Sequence, residues 1–259
     1  MILGILRLIV FVVDTVLWIP VVLLASLLDP DARAAFRVAQ WWAWANLKVT
    51  GTRVAVDGLE HLDPRRSYVF VSNHRSNLDV LALVVALWDF QLRWVAKEEL
   101  FRVPLFGWAL RATKQILVNR ADHAQAVASL AEAKRRMHEG ISVVFFPEGT
   151  RGPGREMLPF KKGGFVFAIE TGAPIVPIGI LGTAEILPRA AWTVRRGGDV
   201  RVSICRPIET ATRALDDRDA LRAEVHAAIA ARIGVGAPAP PPDPGPLPTQ
   251  AGLRSPATR

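Results

Sequence analysis

A histidine and an aspartate, His74 and Asp79, lie five residues apart in the polar segment 72–80, SNHRSNLDV, between two hydrophobic stretches. An ionised aspartate bound to one ring nitrogen of a histidine leaves the other nitrogen free to accept a proton, so the pair is a candidate general base. Such a base would activate a hydroxyl group of a substrate and typically contributes about 10²–10⁴-fold to a rate. The alternative is an ordinary loop, because a His and an Asp at this spacing also occur by chance.

The chain must bend between His74 and Asp79 for the two side chains to meet, because five residues of regular helix turn through about 500°. The residues between them favour turns and helix caps, and we predict that Asn77 caps the following helix. Asp79 would then lie in the first helical turn, where the helix terminus favours an ionised carboxylate. His74 would lie in the loop after a strand, the usual position of a site in α/β folds.

A second polar group follows the apolar segment 141–146, ISVVFF. Gly149 lets backbone N–H groups approach an anion, Thr150 offers a hydroxyl, and Arg151 offers a two-pronged donor for phosphate. Glu148 would hold this loop by accepting backbone N–H bonds or by pairing with an arginine. The pattern predicts an anion site, and the alternative is an ordinary turn at the end of a strand.

Strands alternate with helices between residues 50 and 234, which predicts an α/β fold: a single mixed-sheet domain covered by helices. A Gly-Gly pair in the segment 192–204 predicts a β-hairpin there. The predicted strands are 52–58, 67–73, 141–146 and 173–180, and the predicted helices are 78–88, 121–140, 163–172 and 216–234.

The first 28 residues are almost wholly apolar. A signal peptide fits poorly, because no basic residue precedes the apolar run, Arg7 lies inside it, and no clear cleavage site follows. A spanning helix is long enough, but it would place Asp14 near the bilayer centre at a cost of about 2.5–3.5 kcal/mol, and Pro20 would interrupt it. We favour an uncleaved membrane anchor, kinked or half-inserted, over a simple spanning helix.

The segment 29–49 contains three tryptophans within four residues, flanked by basic residues. Asp29 followed by Pro30 predicts the start of a helix. Tryptophan with Arg and Lys is typical of a helix at a membrane interface, and the alternative is a Trp-rich helix packed on the core. The N-terminal segment 1–49 is therefore predicted to be a pair of membrane-associating helices, ahead of the α/β domain at 50–234.

Composition limits the classes of partner. The chain of 259 residues has a net charge of +8, a pI near 10.5 and a mean hydropathy of +0.24. Basicity suits nucleic acid, an anionic membrane surface or phosphorylated substrates, and nucleic acid is disfavoured because no Lys/Arg tract is present. The only cysteine is Cys205, so no intrachain disulfide forms. The Pro- and Gly-rich segment 235–259 is predicted to be a disordered tail.

The motif NHRSNLD, followed about seventy residues later by FPEGTR, resembles the glycerolipid acyltransferase family, the 1-acylglycerol-3-phosphate acyltransferases and their relatives. The segment 97–120, KEELFRVPLFG through ILVNR, is similar to an intervening block of the family, and PIVPIGI is similar to its last block. The resemblance spans residues 50–181. One departure is at 112–115, ATKQ, where the family usually has a glycine. The matching residues of the intervening and last blocks are Lys97, Glu99, Leu100, Pro104, Gly107, Arg120 and Pro177.

The resemblance implies transfer of an acyl chain from acyl-CoA or acyl carrier protein to the free hydroxyl of 1-acylglycerol 3-phosphate, giving phosphatidic acid. His74 would be the general base and Asp79 its orienting carboxylate. Arg151, with Lys97 as the second candidate, would hold the phosphate of the acceptor. The remaining substrate-binding candidates are Glu148, Gly149, Thr150 and Arg120.

The resemblance also implies the partners: a membrane lipid acceptor, a thioester donor that acts as co-substrate, and a membrane surface, with no cofactor or metal required. The protein is expected on the cytoplasmic face of an inner membrane. Three alternatives remain open. The acceptor is another lysolipid, such as lyso-ornithine lipid, or glycerol 3-phosphate; the protein is a lipid-binding module without turnover; or it is a thioesterase.

Overall fold

The computed structural model describes residues 2–118, 123–137, 139–152, 156–189, 191–195 and 197–235. The predicted tail lies outside the described residues except at its first position.

Two helices form the N-terminal part: α1 (Ile2–Ala25) and α2 (Arg33–Thr50). The strands are β1 (Arg53–Asp57), β2 (Val69–Ser72), β3 (Gln91–Lys97), β4 (Ile116–Val118), β5 (Ile141–Phe145), β6 (Ile175–Leu181) and β7 (Asp199–Ile204). The other helices are α3 (Leu78–Ala86), α4 (Glu98–Phe101), α5 (Phe106–Ala112), α6 (His123–Met137), α7 (Gly163–Thr171), α8 (Thr183–Ile186) and α9 (Arg218–Ile233), with short 3₁₀ turns at Leu59–His61 and Leu215–Asp217.

The seven strands form one mixed sheet in the order β1-β7-β6-β2-β5-β3-β4. Strands β6, β2, β5, β3 and β4 are parallel to one another, whereas β7 pairs antiparallel with β6 and parallel with β1. The predicted α/β class and mixed sheet are confirmed. The carboxyl ends of five strands therefore meet at one edge, and the ends of β1 and β7 lie at the opposite, amino edge.

Apolar cores cover both faces of the sheet. Phe36 and Leu47 of α2 and Leu83 of α3 pack on one face, and Phe165 of α7 and Ile229 of α9 pack on the other. Every residue of β5 is buried. A strand covered on both sides reads as a continuous apolar run, which is why the sequence identified this strand.

The helices α1 and α2 form an antiparallel hairpin in which the polar groups of α1 face α2. The Asp14 carboxylate accepts hydrogen bonds from Asn46 Nδ2 at 2.6 Å and from Trp18 Nε1 at 3.2 Å. Pro20 was expected to interrupt the helix, but α1 is continuous. Proline removes one backbone hydrogen bond, and packing on α2 supports the turns on either side. By length and composition, α1 is long and apolar enough to cross a membrane.

The start of α2 differs from the prediction. The helix begins at Arg33 and not at Pro30, because Ala32 adopts a left-handed conformation with a φ of 54°. The Asp29 carboxylate still caps the helix, accepting the backbone N–H groups of Arg33 at 2.8 Å and Ala34 at 3.0 Å. Asp29 therefore correctly indicated a helix start, but the helix begins three residues later than the predicted Pro30.

The predicted hairpin at 192–204 is wrong, since only its second half is a strand. Val194 and Arg195 donate their backbone N–H groups to Gly4 in α1 and Ile186 in α8, and not to β7. Strand β7 instead pairs with β1 and β6. The Gly-Gly pair marks a close approach between loops rather than a hairpin turn.

The segment 112–115, where a glycine is usual in similar sequences, keeps a glycine-like backbone. Lys114 has a φ of 55°, in the left-handed region, and its N–H donates to the carbonyl of Arg111. A non-glycine residue in this region is strained. Strand β4 starts two residues later, so the turn positions β4 beside β3.

Candidate active site

The candidate residues come from three strand ends at the carboxyl edge of the sheet. His74 follows β2, residues 148–151 follow β5, and Lys97 is the last residue of β3. Since β2 neighbours β5, and β5 neighbours β3, these segments lie side by side. The edge is the one at which ligands bind in open α/β sheets.

His74 and Asp79 are in direct contact, with 2.8 Å between His74 Nδ1 and Asp79 Oδ2. The aspartate is fully buried, whereas the histidine side chain is 16% exposed. Asp79 Oδ2 also accepts the backbone N–H groups of Arg75 at 2.6 Å and Ser76 at 2.8 Å. An acceptor-only carboxylate fixes the Nδ1–H tautomer, so Nε2 is the nitrogen that can accept a proton.

The bend between the two residues is made by turn-forming residues, as predicted, but Ser76 takes the part that was predicted for Asn77. Asn77 occupies the capping position of α3, but its side chain makes no capping hydrogen bond. Ser76 Oγ instead accepts the N–H of Leu78 at 3.1 Å and donates to the carbonyl of Leu187 at 2.7 Å. Asp79 does lie in the first turn of α3, where it closes the turn by binding the two preceding N–H groups.

Glu148 ties the loop after β5 to His74. Its Oε1 accepts the backbone N–H of His74 and its Oε2 accepts that of Leu158, both at 2.8 Å. The predicted backbone N–H bonding is therefore observed, and the charge of the Arg75 guanidinium also favours the ionised carboxylate. Burial raises the pKa of the Glu148 carboxyl, while the two N–H groups act in the opposite direction.

The imidazole of His74 is held from the side as well. It stacks on Phe146 with ring centroids 4.0 Å apart and an angle of 13° between the planes. The His74 carbonyl accepts the N–H of Gly152 at 2.9 Å. A Cβ at Gly152 would lie 3.2 Å from Glu148 Oε2, so a small residue is favoured there. Backbone, ring and carboxylate contacts together leave His74 little freedom.

The remaining anion-site candidates lie in the same loop. Gly149 has a φ of 71°, a conformation that favours glycine. Thr150 and Arg151 are half-buried. Arg151 Nη1 donates to the carbonyl of Arg189 at 3.1 Å, and Arg189 Nη1 donates to the carbonyl of Arg151 at 2.9 Å. The loop therefore presents a hydroxyl and a guanidinium close to the backbone of His74.

The two other basic candidates differ in position. Lys97 is exposed at the carboxyl edge, but one strand, β5, separates its strand from β2, which precedes the His74 loop. Arg120 lies outside the described residues. Within the described residues, no group of three or more His, Cys, Asp or Glu side chains could hold a metal ion.

One residue of the site carries no signal in the sequence motifs. Thr183 begins α8 just after β6 and is buried. Its Oγ1 donates to Asp79 Oδ1 at 2.5 Å, so both oxygens of the carboxylate are bound. The one available signal is position, since Thr183 follows a predicted strand whose carboxyl end lies beside that of β2.

The family model and the similar proteins all point to the same family, the acyltransferases. Residues 53–181 match the family model described as Acyltransferase. The chain is 36% identical over 167 residues to a chloroplastic 1-acyl-sn-glycerol-3-phosphate acyltransferase of Brassica napus, over 64% of this chain and 48% of that protein. It is 34% identical over 185 residues to the 1-acyl-sn-glycerol-3-phosphate acyltransferase of Pseudomonas aeruginosa, over 70% of each.

The crystal structure of the 1-acyl-sn-glycerophosphate acyltransferase PlsC from Thermotoga maritima is similar, with a TM-score of 0.73 and 26% identity over 89% of this chain and 95% of that one. The chain spans about half the length of the plant and algal relatives that it matches. With this fold, these motifs and this extent of identity to relatives, the chain belongs to the glycerolipid acyltransferase family, which includes the 1-acyl-sn-glycerol-3-phosphate acyltransferases.

Proposed function

We propose that the protein transfers an acyl chain from acyl-CoA or acyl carrier protein to the free hydroxyl of 1-acylglycerol 3-phosphate, giving phosphatidic acid. The observation that carries the proposal is the contact between His74 and Asp79 beside the Arg151 loop. A base, its orienting carboxylate and a cation lie at one edge of the sheet. The names of the similar proteins support the same reaction.

In the proposed mechanism His74 acts as a general base through Nε2. It removes the proton from the acceptor hydroxyl as the oxygen attacks the thioester carbonyl, and a tetrahedral intermediate forms. The intermediate collapses as the C–S bond breaks, and the thiolate takes its proton from the imidazolium. Asp79 stabilises that imidazolium, because the buried carboxylate lies 2.8 Å from Nδ1.

Arg151 is proposed to hold the phosphate of the acceptor, with Lys97 as the second candidate. A guanidinium binds phosphate oxygens through paired N–H donors. Holding the acceptor against His74 makes a two-substrate reaction effectively unimolecular, which matters as much for the rate as proton transfer. The rigid loop around Glu148 provides the fixed geometry that such positioning requires.

We propose that the protein is bound to the cytoplasmic face of an inner membrane through α1 and α2. The outward face of α1 is apolar along its length, with Ile9 52% and Val13 51% exposed. Trp41 and Trp44 of α2 are also exposed. An acyl chain drawn out into water costs about 0.8 kcal/mol per CH₂, so a site at the membrane surface avoids that cost. The Val194–Gly4 hydrogen bond places the start of α1 near the site edge.

Charged substitutions on the outward face of α1 test this attachment. We expect Ile9→Asp combined with Val13→Asp to lower partition into anionic vesicles at least about tenfold, since a central Asp costs about 2.5–3.5 kcal/mol on insertion scales. Vesicle flotation measures this. Leu215→Asp is the matched control, because Leu215 is an exposed apolar residue of the α/β domain, 47% exposed. Equal flotation of the α1 variant and the wild type would contradict the attachment.

An acceptor series tests the proposed reaction. We expect membranes containing the protein to acylate 1-acylglycerol 3-phosphate faster than lyso-ornithine lipid or glycerol 3-phosphate, with acyl-CoA and acyl carrier protein assayed as separate donors. Thiol release without an acceptor should stay at background. Release that is independent of acceptor would identify a hydrolase, and equal rates with a phosphate-free lysolipid would contradict the phosphate assignment.

A further inference from the structure

The loop that follows α8 runs along the site edge on the side of β6. The carbonyl of Leu187 accepts the hydroxyl of Ser76, two residues after His74. Arg189 and Arg151 exchange hydrogen bonds, each guanidinium binding the backbone carbonyl of the other residue. Two arginines from segments 38 residues apart are thereby fixed against each other next to the His74 loop.

The charges of this pair are not neutralised within the described part of the chain. Neither Arg151 nor Arg189 has a carboxylate partner there, although most exposed arginines of the α6 and α9 helices do. Each guanidinium has five N–H donors, and the reciprocal contacts use one on each residue. The two positive charges are held on neighbouring segments without a carboxylate between them, and like charges repel each other. An anion that binds both removes the repulsion and supplies acceptors for the remaining donors.

We propose that Arg189 and Arg151 form a two-armed clamp for the phosphate monoester of the acceptor lipid. This inference rests on the proposed function and adds Arg189 to it as a residue that determines acceptor specificity. A phosphate monoester carries about −1.5 to −2 charges at pH 7, which matches two guanidinium groups. A phosphodiester or zwitterionic lysolipid carries less negative charge at this position, so the clamp selects against it.

The geometry favours Arg189 over Lys97 as the second cation. Arg189 contacts Arg151 directly, and Arg151 is adjacent to Gly152, whose N–H binds the carbonyl of His74. Lys97 ends β3, the neighbour of β5, but among the described residues no hydrogen bond or ion pair joins it to Arg151 or His74. A phosphate held by Arg151 and Arg189 therefore stays close to His74.

The experiment compares Arg189→Gln, Arg189→Lys and Arg206→Gln with the wild type. Glutamine keeps an N–H donor for the carbonyl of Arg151 but removes the charge, and lysine keeps the charge. Arg206 is an exposed arginine just after β7, at the amino edge, so Arg206→Gln makes the same change in net charge away from the site.

Binding of 1-acylglycerol 3-phosphate in detergent micelles is measured by calorimetry without acyl donor. We expect Arg189→Gln to weaken binding at least about tenfold, Arg189→Lys to restore part of the affinity, and Arg206→Gln to bind like the wild type. In the transfer assay Arg189→Gln should raise the KM for this acceptor, while kcat and the KM for the acyl donor stay within about threefold of wild type.

Unchanged binding by Arg189→Gln would overturn the clamp. A purely structural role would also overturn it, and would show as equal increases in the KM values of acceptor and donor together with a lower melting temperature. If Arg189→Gln weakens phosphate binding but the wild type transfers no acyl group, the clamp stands and the proposed function fails. The two hypotheses are thus separated by one set of variants.

Discussion

Replacing His74 by alanine is expected to lower acyl transfer at least about 100-fold while the fold and membrane binding persist. The imidazole is the only group at this edge, among the described residues, that combines a free ring nitrogen with a carboxylate partner at 2.8 Å. Removing it takes away proton transfer but leaves the loop contacts of its backbone, since Glu148 and Gly152 bind His74 through main-chain atoms. Initial rates with 1-acylglycerol 3-phosphate measure the effect.

Two further variants separate chemistry from structure. His74→Gln keeps a polar side chain that can bind Asp79 but cannot act as a base near neutral pH, so it should lose as much activity as the alanine variant. His61→Ala removes a half-buried histidine from the turn after β1, at the amino edge, and should keep wild-type rates. Turnover of His74→Gln at the wild-type rate would remove His74 from the mechanism.

The sequence predicted the elements that bury apolar residues on a regular pattern. Strand β5 is apolar except for Ser142 and was found within one residue. Strand β3 was missed, because its centre contains Arg93, a fully buried guanidinium that breaks the apolar run. In the structure Arg93 donates to the carbonyls of Leu92 and Asp31 and lies over the ring of Phe36. A buried charge that is satisfied by distant backbone cannot be recognised from local composition.

The candidate site was predictable where it is local in sequence. His74 and Asp79 belong to one turn, and residues 148–151 belong to another. Their positions in the fold could therefore be predicted from the turn-forming residues and from the ends of the predicted strands. Thr183 and Arg189 were missed, because they reach the site only through the position of β6 beside β2. Thr183 is 104 residues from Asp79, and no short motif encodes that distance.

The mistaken hairpin at 192–204 has a related origin. The Gly-Gly pair predicts a local turn, yet β7 pairs with β1, whose residues lie about 146 positions earlier. Long-range pairing overrode the local signal. Because β7 runs antiparallel to β6, the connection between them, which includes Arg189, begins and ends at the site edge.

Substitution of Asp79 should cause the second large effect, and the two possible changes should differ. Asp79→Ala leaves four donors of the buried site without their acceptor, from His74, Arg75, Ser76 and Thr183. Each unsatisfied buried group costs about 1–3 kcal/mol, so both activity and the free energy of unfolding should fall. Asp79→Asn keeps an oxygen for the N–H groups and can donate to the Thr183 hydroxyl. We expect it to fold while losing at least about 100-fold in rate, because no charge stabilises the imidazolium.

Thr183→Val provides the graded test of this reasoning. Valine has nearly the same shape but lacks the donor to Asp79 Oδ1, and a hydrogen bond to a charged group is worth about 1.5–3 kcal/mol. The kcat should fall about tenfold with little change in either KM, and Thr183→Ser should restore it, since serine keeps the hydroxyl.

Because His74 and Asp79 act as one unit, the double variant His74→Ala/Asp79→Asn should be no slower than His74→Ala alone. Additive losses, or wild-type rates in Asp79→Asn, would mean that the carboxylate does not act through His74.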